Sequence, residues 1–427
     1  MRALLIAEAA NPEWTSVPLV GWSHARAIMR RVDAHLVTQV RNQEAFERAG
    51  VERASYTCID SEAVARLTWK ISSKLSGGAG KGWTTLMAAS SVSYYYFEHL
   101  LWKQFGPRIR AGEFDVVHRI TPLSPTIPSL LARRCQRAGV PFIVGPLNGG
   151  VPWPRAFDRE RRREKEWLSY VRGMYRLLPG YGSMRRNAAA IVVGSKDTLK
   201  QEPARYHGKC VYIPENGIDP ERFSKPVEGP IGTPVKGAFV GRLVPYKGAD
   251  MLLEAAAPLI RAGKLTIDVI GDGPEMPRLR DQVNREGIES GVQLPGWVEH
   301  TKLQERLRHS DLLTFPSIRE FGGGVVLEAM ALGLVPVIVD YGGPAELITP
   351  QTGIAVPIGT RQQVIDNYRQ ALERIVGQPS MIRPMGMAAR ERVLGQFTWD
   401  AKAAQMVEVY REAVERVKRG SAGERIG

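Results

Sequence analysis

The chain has 427 residues, of which 44% are hydrophobic and 24% are charged. This length and composition exclude a peptide, a single small module and a disordered chain, and they indicate two or three globular domains. The formal net charge is +14, and the whole excess lies N-terminal to Asn216, because acidic and basic residues balance over residues 217–427.

Short apolar runs rich in valine and isoleucine alternate with helical patterns, which is typical of strand–helix–strand units around a parallel sheet. The strands predicted in the first half are residues 3–7, 35–40, 115–119, 142–145 and 190–194. Those predicted in the second half are residues 237–240, 266–270, 312–315 and 336–339. The repeated pattern predicts an α/β protein with two Rossmann-like, doubly wound domains.

A stretch rich in proline and glycine, IPENGIDPERFSKPVEGPIGTP, separates the two patterns and predicts a linker with the domain boundary near Asn216. The predicted domains are therefore residues 1–215 and residues 216–400. A helical pattern over residues 399–419 and a polar tail follow, and we expect residues 401–427 to pack back towards the first domain.

Membrane-spanning and disulfide-bonded classes receive no support from the sequence. The stretches that lack charged residues are too short or too polar to span a bilayer, and the N-terminal residues predict a strand rather than a secretory signal. The three cysteines, Cys58, Cys135 and Cys210, are far apart and outside any CxxC pattern, which argues against disulfide and zinc frameworks. A cytoplasmic location is predicted.

Two segments of the basic half combine cationic and aromatic residues. The segment from Arg155 to Arg186 is compatible with an anionic membrane surface, with a solvated helix face that holds its own ion pairs, or with nucleic acid. The segment from Arg66 to Arg110 contains a glycine-rich stretch followed by an aromatic cluster, which is typical either of an amphipathic helix facing lipid or of core packing.

The stretch PSIREFGGGVVLEAMALG predicts an anion site. A strand ends before it, three glycines follow Glu320, and a helix that carries Glu328 begins there. Glycines permit close approach of the backbone, and the N–H groups at a helix start suit a diphosphate. The two carboxylates can accept hydrogen bonds from sugar hydroxyls beside it. The glycines are Gly322, Gly323 and Gly324.

A second stretch, AFVGRLVPYKGADMLLEA, places Arg242 and Lys247 between a predicted strand and a helix. Two cations at that position can neutralise the charge that develops on a leaving group. A surface turn with a helix cap is the alternative interpretation of the same stretch.

These stretches, together with VIGDGPEMPRL, LPGWVEH and NGIDPERF in matching order and spacing, resemble the retaining family 4 glycosyltransferases of the GT-B fold. The resemblance is strong over residues 210–400 and weak before them. It implies an acceptor-binding and a nucleotide-sugar-binding domain that face a cleft.

The resemblance also assigns roles to single residues. Glu320 would contact the donor sugar, Glu328 the ribose, and Arg242 and Lys247 the diphosphate. The main chain at Gly323, Gly324 and Val325 would complete the diphosphate clamp. Four further residues would belong to the donor site, the last three at the nucleobase: Gly271, Gly296, Trp297 and Val298.

Three residues of the first half are further candidates. His118 is predicted to end a strand, and the resemblance implies that it faces the donor sugar as a catalytic residue. Asn148 precedes Gly149 and Gly150 in a loop that exposes its backbone, which could meet the donor or form a simple tight turn. The family often has two glycines after its first strand, whereas this chain has only Gly21 before the helix, and Gly21 and Trp22 remain the candidates for donor contact there.

No DxD motif and no acidic cluster with metal-ligand spacing occurs, so transfer independent of metal and of any cofactor is predicted. The function predicted is transfer of a hexose from a nucleoside diphosphate sugar to a glycan or lipid-linked acceptor, in cell-surface polysaccharide or glycolipid synthesis, by an enzyme peripheral to the cytoplasmic membrane face. A GT-B epimerase or phosphorylase, and a basic module that binds nucleic acid or an anionic surface without turnover, remain the alternatives. No nucleic-acid partner is expected.

Overall fold

The computed structural model describes residues 1–64, 83–149, 151–158, 161, 174–227 and 229–423. The chain forms two compact units. Unit 1 comprises Met1–Gly150, Lys165–Glu215 and Trp399–Gly427. Unit 2 comprises Val151–Glu164 and Asn216–Thr398. The predicted first domain, residues 1–215, is therefore wrong in one part, because Trp153 and Phe157 are buried in the apolar core of unit 2.

Unit 1 is built on a parallel sheet of seven strands in the order β3-β2-β1-β4-β5-β6-β7. The strands are β1 Arg2–Ala7, β2 Asp33–Gln39, β3 Tyr56–Ile59, β4 Val116–Thr121, β5 Phe142–Leu147, β6 Ala190–Val193 and β7 Cys210–Tyr212. Its helices are α1 Val17–Met29, α2 Gln43–Arg48, α3 Trp83–Arg110, α4 Leu131–Arg137, α5 Tyr181–Asn187 and α6 Lys196–Gln201.

Unit 2 is built on a parallel sheet of six strands in the order β10-β9-β8-β11-β12-β13. The strands are β8 Val235–Val240, β9 Leu265–Ile270, β10 Val292–Gly296, β11 Leu312–Phe315, β12 Val335–Val339 and β13 Ile354–Val356. Its helices are α7 Ala249–Arg261, α8 Met276–Glu286, α9 His300–Leu307, α10 Gly324–Ala331, α11 Gly343–Leu347, α12 Arg361–Gly377 and α13 Ile382–Gln396.

The last helix of the chain, α14 Trp399–Gly423, belongs to unit 1. Ala403, Met406, Tyr410 and Ala413 form a stripe along one face of it, at the spacing of a helix with one apolar side. All four are buried in the core that contains Trp22 of α1. Burial of this stripe fixes the helix to the unit that the first half of the chain forms.

The prediction of an α/β protein with two doubly wound sheets is confirmed. In such sheets a ligand crevice lies outside the carboxyl ends of the strands, where the strand order reverses. That point lies between β1 and β4 in unit 1 and between β8 and β11 in unit 2. The loops that follow β8 and β11 are the ones in which the sequence predicts the diphosphate site.

Helices long and apolar enough to cross a bilayer are absent from the described residues. The aromatic cluster of α3 contributes mainly to packing, since Tyr94 and Phe97 are buried in the core of unit 1. Tyr96 is 37% exposed. Residues 159, 160 and 162–173 of the segment from Arg155 to Arg186, and the glycine-rich stretch before α3, lie outside the described residues.

Candidate functional site

The loop after β8 brings Lys247 to the carboxyl edge of the unit 2 sheet. A short 3-10 turn, Pro245–Lys247, is followed by Gly248 in the left-handed conformation, with φ 71°. A β-carbon at Gly248 would lie 2.8 Å from the carbonyl oxygen of Pro316, in the loop after β11. Glycine at this position therefore lets the two loops approach closely.

The loop after β11 carries Glu320 and is fixed through its main chain. The Ile318 N–H donates a 2.9 Å hydrogen bond to the carbonyl of Tyr246, and the Gly343 N–H donates to the carbonyl of Glu320 at 3.3 Å. Gly323 then adopts φ 62° at the N-cap of α10. The first N–H groups of a helix have no partner within it and lie at its positive end, so this start suits an anion.

Lys247 and Glu320 form an ion pair between these two loops. The side chains are 14% and 19% exposed, and the Lys247 ammonium also lies 5.1 Å from the ring centroid of Phe315. Because so little of each side chain meets solvent, their orientation is fixed by the protein. The part that remains exposed is accessible to a ligand. Its two charges are those that a phosphate and a sugar hydroxyl would each need.

Arg242 and Glu328 complete the charged residues predicted for this edge. Arg242 is exposed, and its guanidinium has no hydrogen-bond or ion-pair partner within the described part of the chain. Glu328 is half-buried at the fifth position of α10. The predicted glycines Gly322, Gly323 and Gly324, with Val325, lie at the start of that helix. A β-carbon at Gly324 would lie 3.6 Å from the Asn216 side chain.

The residues predicted for the nucleobase lie at the end of the edge strand β10. Gly296 ends that strand with φ 81°, Trp297 is 70% exposed, and Val298 packs partly against the core. The Gly271 N–H donates to the Gly296 carbonyl at 2.9 Å, and a β-carbon at Gly271 would lie 1.9 Å from the Gly241 carbonyl oxygen. Gly271 therefore holds the loops together, and Trp297 is the member of this group that offers a free surface.

His118 is not available to a ligand, and the predicted catalytic position is wrong. It lies in the middle of β4, is fully buried, and has both ring nitrogens in 2.6 Å contacts, Nδ1 with the Tyr410 hydroxyl and Nε2 with the Gly145 carbonyl. Burial lowers the pKa of His118 to about 4, so the ring is neutral near pH 7. Its partners fix α14 to the sheet.

Gly21 also has a packing role instead of the predicted donor contact. It lies inside α1, where a β-carbon would be 2.2 Å from the Ala9 carbonyl oxygen and 2.9 Å from the Thr121 side chain. A larger side chain would push α1 away from the loop after β1 and from the end of β4. Its N–H lies beyond the first turn of the helix, so it is not one of the open N–H groups of the helix start.

The Asn148 side chain is committed to neighbours in unit 1, which corrects its assignment to the donor. The residue is 5% exposed. Its amide nitrogen donates to Glu215, and its oxygen accepts from the Ser195 hydroxyl at 3.0 Å and from the Thr198 hydroxyl at 3.3 Å. This network joins the loop after β5 to the start of α6. Gly149 adopts φ 140°, and Gly150 lies outside the described residues.

Sequence reasoning missed the buried ionic groups beneath the loop after β4. Arg185 and Glu202 form a fully buried ion pair at 2.6 Å, and Arg185 also donates to the Pro125 carbonyl. Arg119 is fully buried and donates to the Ile127 carbonyl at 2.6 Å. These bonds fix the loop that follows β4. The sequence signal for these buried ionic groups is Arg119, an arginine inside the apolar strand VVHRIT.

Similarity to known proteins locates the family signal in unit 2. The family model described as glycosyl transferases group 1 matches residues 235–374, a range that includes Arg242, Lys247, Glu320 and Glu328. The chain contains a glycosyl transferases group 1 domain. The predicted recognition of that family is confirmed.

Two curated relatives match the group 1 domain and its surroundings. Alpha-D-kanosaminyltransferase of Streptomyces kanamyceticus is 31% identical over 176 residues, which are 41% of this chain and 45% of the relative. D-inositol 3-phosphate glycosyltransferase of Gordonia bronchialis is 32% identical over 188 residues, which are 42% of this chain and 40% of the relative. The chain thus spans about half the length of the curated relatives it matches.

The solved structure of HepE from Anabaena in complex with UDP covers 96% of this chain and 100% of its own, with a TM-score of 0.59 and 14% identity. That likeness shows a shared fold, and the predicted GT-B fold class is confirmed at this level. No three His, Cys, Asp or Glu side chains of the described residues gather as metal ligands would. Metal independence stays a prediction.

Proposed function

We propose that this protein is a retaining glycosyltransferase that moves a hexose from a nucleoside diphosphate sugar to a glycan or lipid-linked acceptor. The observation that carries the proposal is the Lys247–Glu320 ion pair beside the glycine-capped start of α10, inside a group 1 domain. The names of the curated relatives support transfer over epimerisation, since both are glycosyltransferases.

The ion pair is proposed to separate when the donor binds. Lys247 turns from the carboxylate to the diphosphate, and Glu320 becomes free to accept hydrogen bonds from the hydroxyls of the donor sugar. Neither charge is left without a partner in this exchange. Lys247 replaces a carboxylate with a phosphate, and Glu320 replaces an ammonium with hydroxyl donors. Arg242, which is exposed on the same loop as Lys247, adds a second cation for the diphosphate.

The start of α10 is proposed to complete the diphosphate clamp. The main-chain N–H groups at Gly324 and Val325 and the positive end of the helix stabilise the negative charge that grows on the departing diphosphate. Gly322 and Gly323 keep side chains away from this approach. Glu328 is proposed for the ribose hydroxyls and Trp297 for the edge of the nucleobase.

Retention of the anomeric configuration follows, in this proposal, from substitution on one face of the sugar. The acceptor oxygen bonds to the anomeric carbon on the face from which the phosphate departs, through a state with oxocarbenium character, and the hydroxyl proton passes to the departing diphosphate. The cations and the helix start then supply the charge stabilisation without a divalent metal. The complex of HepE with UDP supports a nucleotide as the donor's leaving group.

The acceptor and the membrane association are proposed from charge. The entire excess of positive charge lies N-terminal to Asn216, and a phosphorylated or lipid-linked acceptor at an anionic membrane surface would complement it. Peripheral association with the cytoplasmic face of the membrane, and a place in cell-surface polysaccharide or glycolipid synthesis, belong to this proposal.

A panel of donors tests the proposal. Purified protein is incubated with UDP-, GDP- and ADP-sugars, with and without a chelator, and nucleotide release is followed. We expect release from donors of one base class, unchanged by the chelator. Absence of release from every donor, together with absence of nucleotide binding in calorimetry, would contradict the proposed function.

A further inference from the structure

A short piece of chain from the N-terminal half packs into unit 2 beside the Lys247–Glu320 pair. Trp153 and Phe157 are buried in the apolar core of unit 2. The Tyr341 hydroxyl donates a 2.9 Å hydrogen bond to the Pro152 carbonyl, and the Arg319 Nε–H donates a 3.1 Å bond to the Val151 carbonyl. We call the residues Val151–Phe157 the docked segment.

Trp153 of the docked segment contacts the residues that precede both members of the ion pair. Its ring meets the Tyr246 ring edge to face, with centroids 6.0 Å apart and planes at 88°. Tyr246 directly precedes Lys247. The Arg319 guanidinium lies 5.1 Å from the centroid of the Trp153 ring, and Arg319 directly precedes Glu320.

These contacts link Trp153 to both members of the ion pair through one neighbouring residue each. Trp153 touches Tyr246 and Arg319, and the residues after those two, Lys247 and Glu320, pair with each other. The Arg319 guanidinium also lies 5.5 Å from the ring centroid of Phe321, and Arg319 is 8% exposed. A buried guanidinium beside two rings has little freedom, so the backbone on either side of Glu320 is fixed.

We propose that Trp153 is a positioning residue for transfer, because it fixes the backbones of both loops and thereby the positions from which Lys247 and Glu320 reach the donor. The inference rests on the proposed function, in which these two groups address the diphosphate and the donor sugar. A displacement of about 1 Å at such groups costs turnover much more than it costs affinity for the nucleotide, since the reacting geometry is the more demanding of the two.

Trp153→Ala, Trp153→Phe and Leu372→Ala separate positioning from packing. Leu372 is fully buried in the same core cluster, on α12, and serves as the control for lost stability. The measurements are kcat and KM for nucleotide release from the preferred donor, Kd for the free nucleotide by calorimetry, and Tm. A second variant, Arg319→Lys, keeps the charge but loses the Nε donor to Val151.

We expect Trp153→Ala to lower kcat at least tenfold while the nucleotide Kd changes less than threefold. Trp153→Phe keeps an aromatic ring between Tyr246 and Arg319 and should recover most of kcat. Leu372→Ala should keep kcat within twofold at a comparable loss of Tm. Arg319→Lys should lower kcat about fivefold with an unchanged Kd. If Trp153→Ala does not fold, Arg319→Lys is the variant that tests the positioning role.

A kcat for Trp153→Ala within twofold of the unmodified protein would overturn the inference, as would an equal fall in Leu372→Ala. In the case that Trp153→Ala does not fold, an unchanged kcat for Arg319→Lys would overturn it. These results leave the proposed function standing, because the unmodified protein turns over. Failure of the unmodified protein to release or bind any nucleotide would instead remove the proposed function, and the inference with it.

Discussion

Among single residues, the proposed donor site depends on an ion pair whose members can change partners. Lys247 and Glu320 are largely shielded from solvent, so each would be costly to leave unpaired. The same shielding makes the pair weak in net terms, since desolvation offsets much of its attraction. A ligand that offers a diphosphate to the lysine and hydroxyls to the carboxylate can therefore replace the pair at little cost.

Replacement of Arg242 should weaken binding of the nucleotide. Arg242→Ala removes an exposed cation from the loop after β8, and a lost charge-assisted contact to a phosphate costs on the order of tenfold in Kd. Isothermal titration with the preferred nucleoside diphosphate measures the change. Arg285→Ala, at an exposed position in the last turn of α8, is the matched control. Equal affinities of Arg242→Ala and the control would show that Arg242 does not meet the diphosphate.

The contribution of His118 to the free energy of unfolding should depend on pH. Burial lowers its pKa in the folded protein to about 4, and His24 and Tyr410 lie beside it. In the unfolded chain the histidine binds a proton near pH 6.5, whereas in the folded protein it does so only near pH 4. The free energy of unfolding therefore falls by up to about 3 kcal/mol as the pH drops from 6.5 to 4. Urea unfolding of the unmodified protein and His118→Gln should show a stability difference that shrinks from pH 7 to pH 4.5. A difference that is constant with pH would refute the buried neutral ring.

At the scale of elements, the sequence predicted the central strands and missed the outer ones. All nine predicted strands are present, while β3, β7, β10 and β13 were not predicted, and these four are the edges of the two sheets. An edge strand pairs with one neighbouring strand and is less buried than a central strand, so it lacks the continuous apolar run of a buried strand. Segments such as CVY and VQLPG therefore carry little signal.

The predicted positions of the candidate site residues depended on the predicted strand ends. The predicted strand over residues 115–119 placed His118 at its end, but β4 continues to Thr121 and leaves His118 in the middle. Periodicity does not fix the last residue of a strand. The position of Glu320 between a strand and a helix was predicted correctly, because glycines and a helix start follow it. Trp153 could not be found, because its contacts join distant parts of the sequence.

The C-terminal helix should make stability rise with pH. Lys402 is fully buried, donates to the Pro214 carbonyl, and burial lowers its pKa to about 7. Between pH 7 and about 10.5 the unfolded chain binds a proton that the folded chain does not, so the burial penalty shrinks as the pH rises. Relative to Lys402→Met, the unmodified protein should gain about 2 kcal/mol from pH 7 to pH 9 in urea unfolding. A flat difference would contradict a neutralised Lys402.

At the scale of the whole molecule, charge is divided along the chain. The half before Asn216 carries the excess of positive charge, and the half that contains the group 1 domain is balanced. Part of the basic half is used internally, since Arg185 is buried against Glu202 and Arg119 against main-chain carbonyls. The remainder is the charge that a membrane or a phosphorylated acceptor could meet.

Membrane association should respond to salt. Sedimentation with anionic vesicles should decrease when salt is raised from about 0.1 M to about 0.5 M, because screening weakens attraction between exposed charges. The combined replacement of Arg161, Arg162 and Arg163 by glutamine should decrease it as well. The matched control replaces three exposed arginines of the balanced half, Arg278, Arg280 and Arg285. Binding that ignores salt, or that falls equally in the control, would reject the electrostatic interpretation.

The assignment of Glu320 to the donor sugar is tested most directly by comparing nucleotide release from the preferred donor by the unmodified protein and by Glu320→Ala. We expect kcat to fall at least 100-fold while the nucleotide Kd changes less than threefold, because Glu320 is proposed to bind the sugar and Lys247 remains for the diphosphate. A Glu320→Ala variant that releases nucleotide at the unmodified rate would contradict the assignment of this site to the donor sugar.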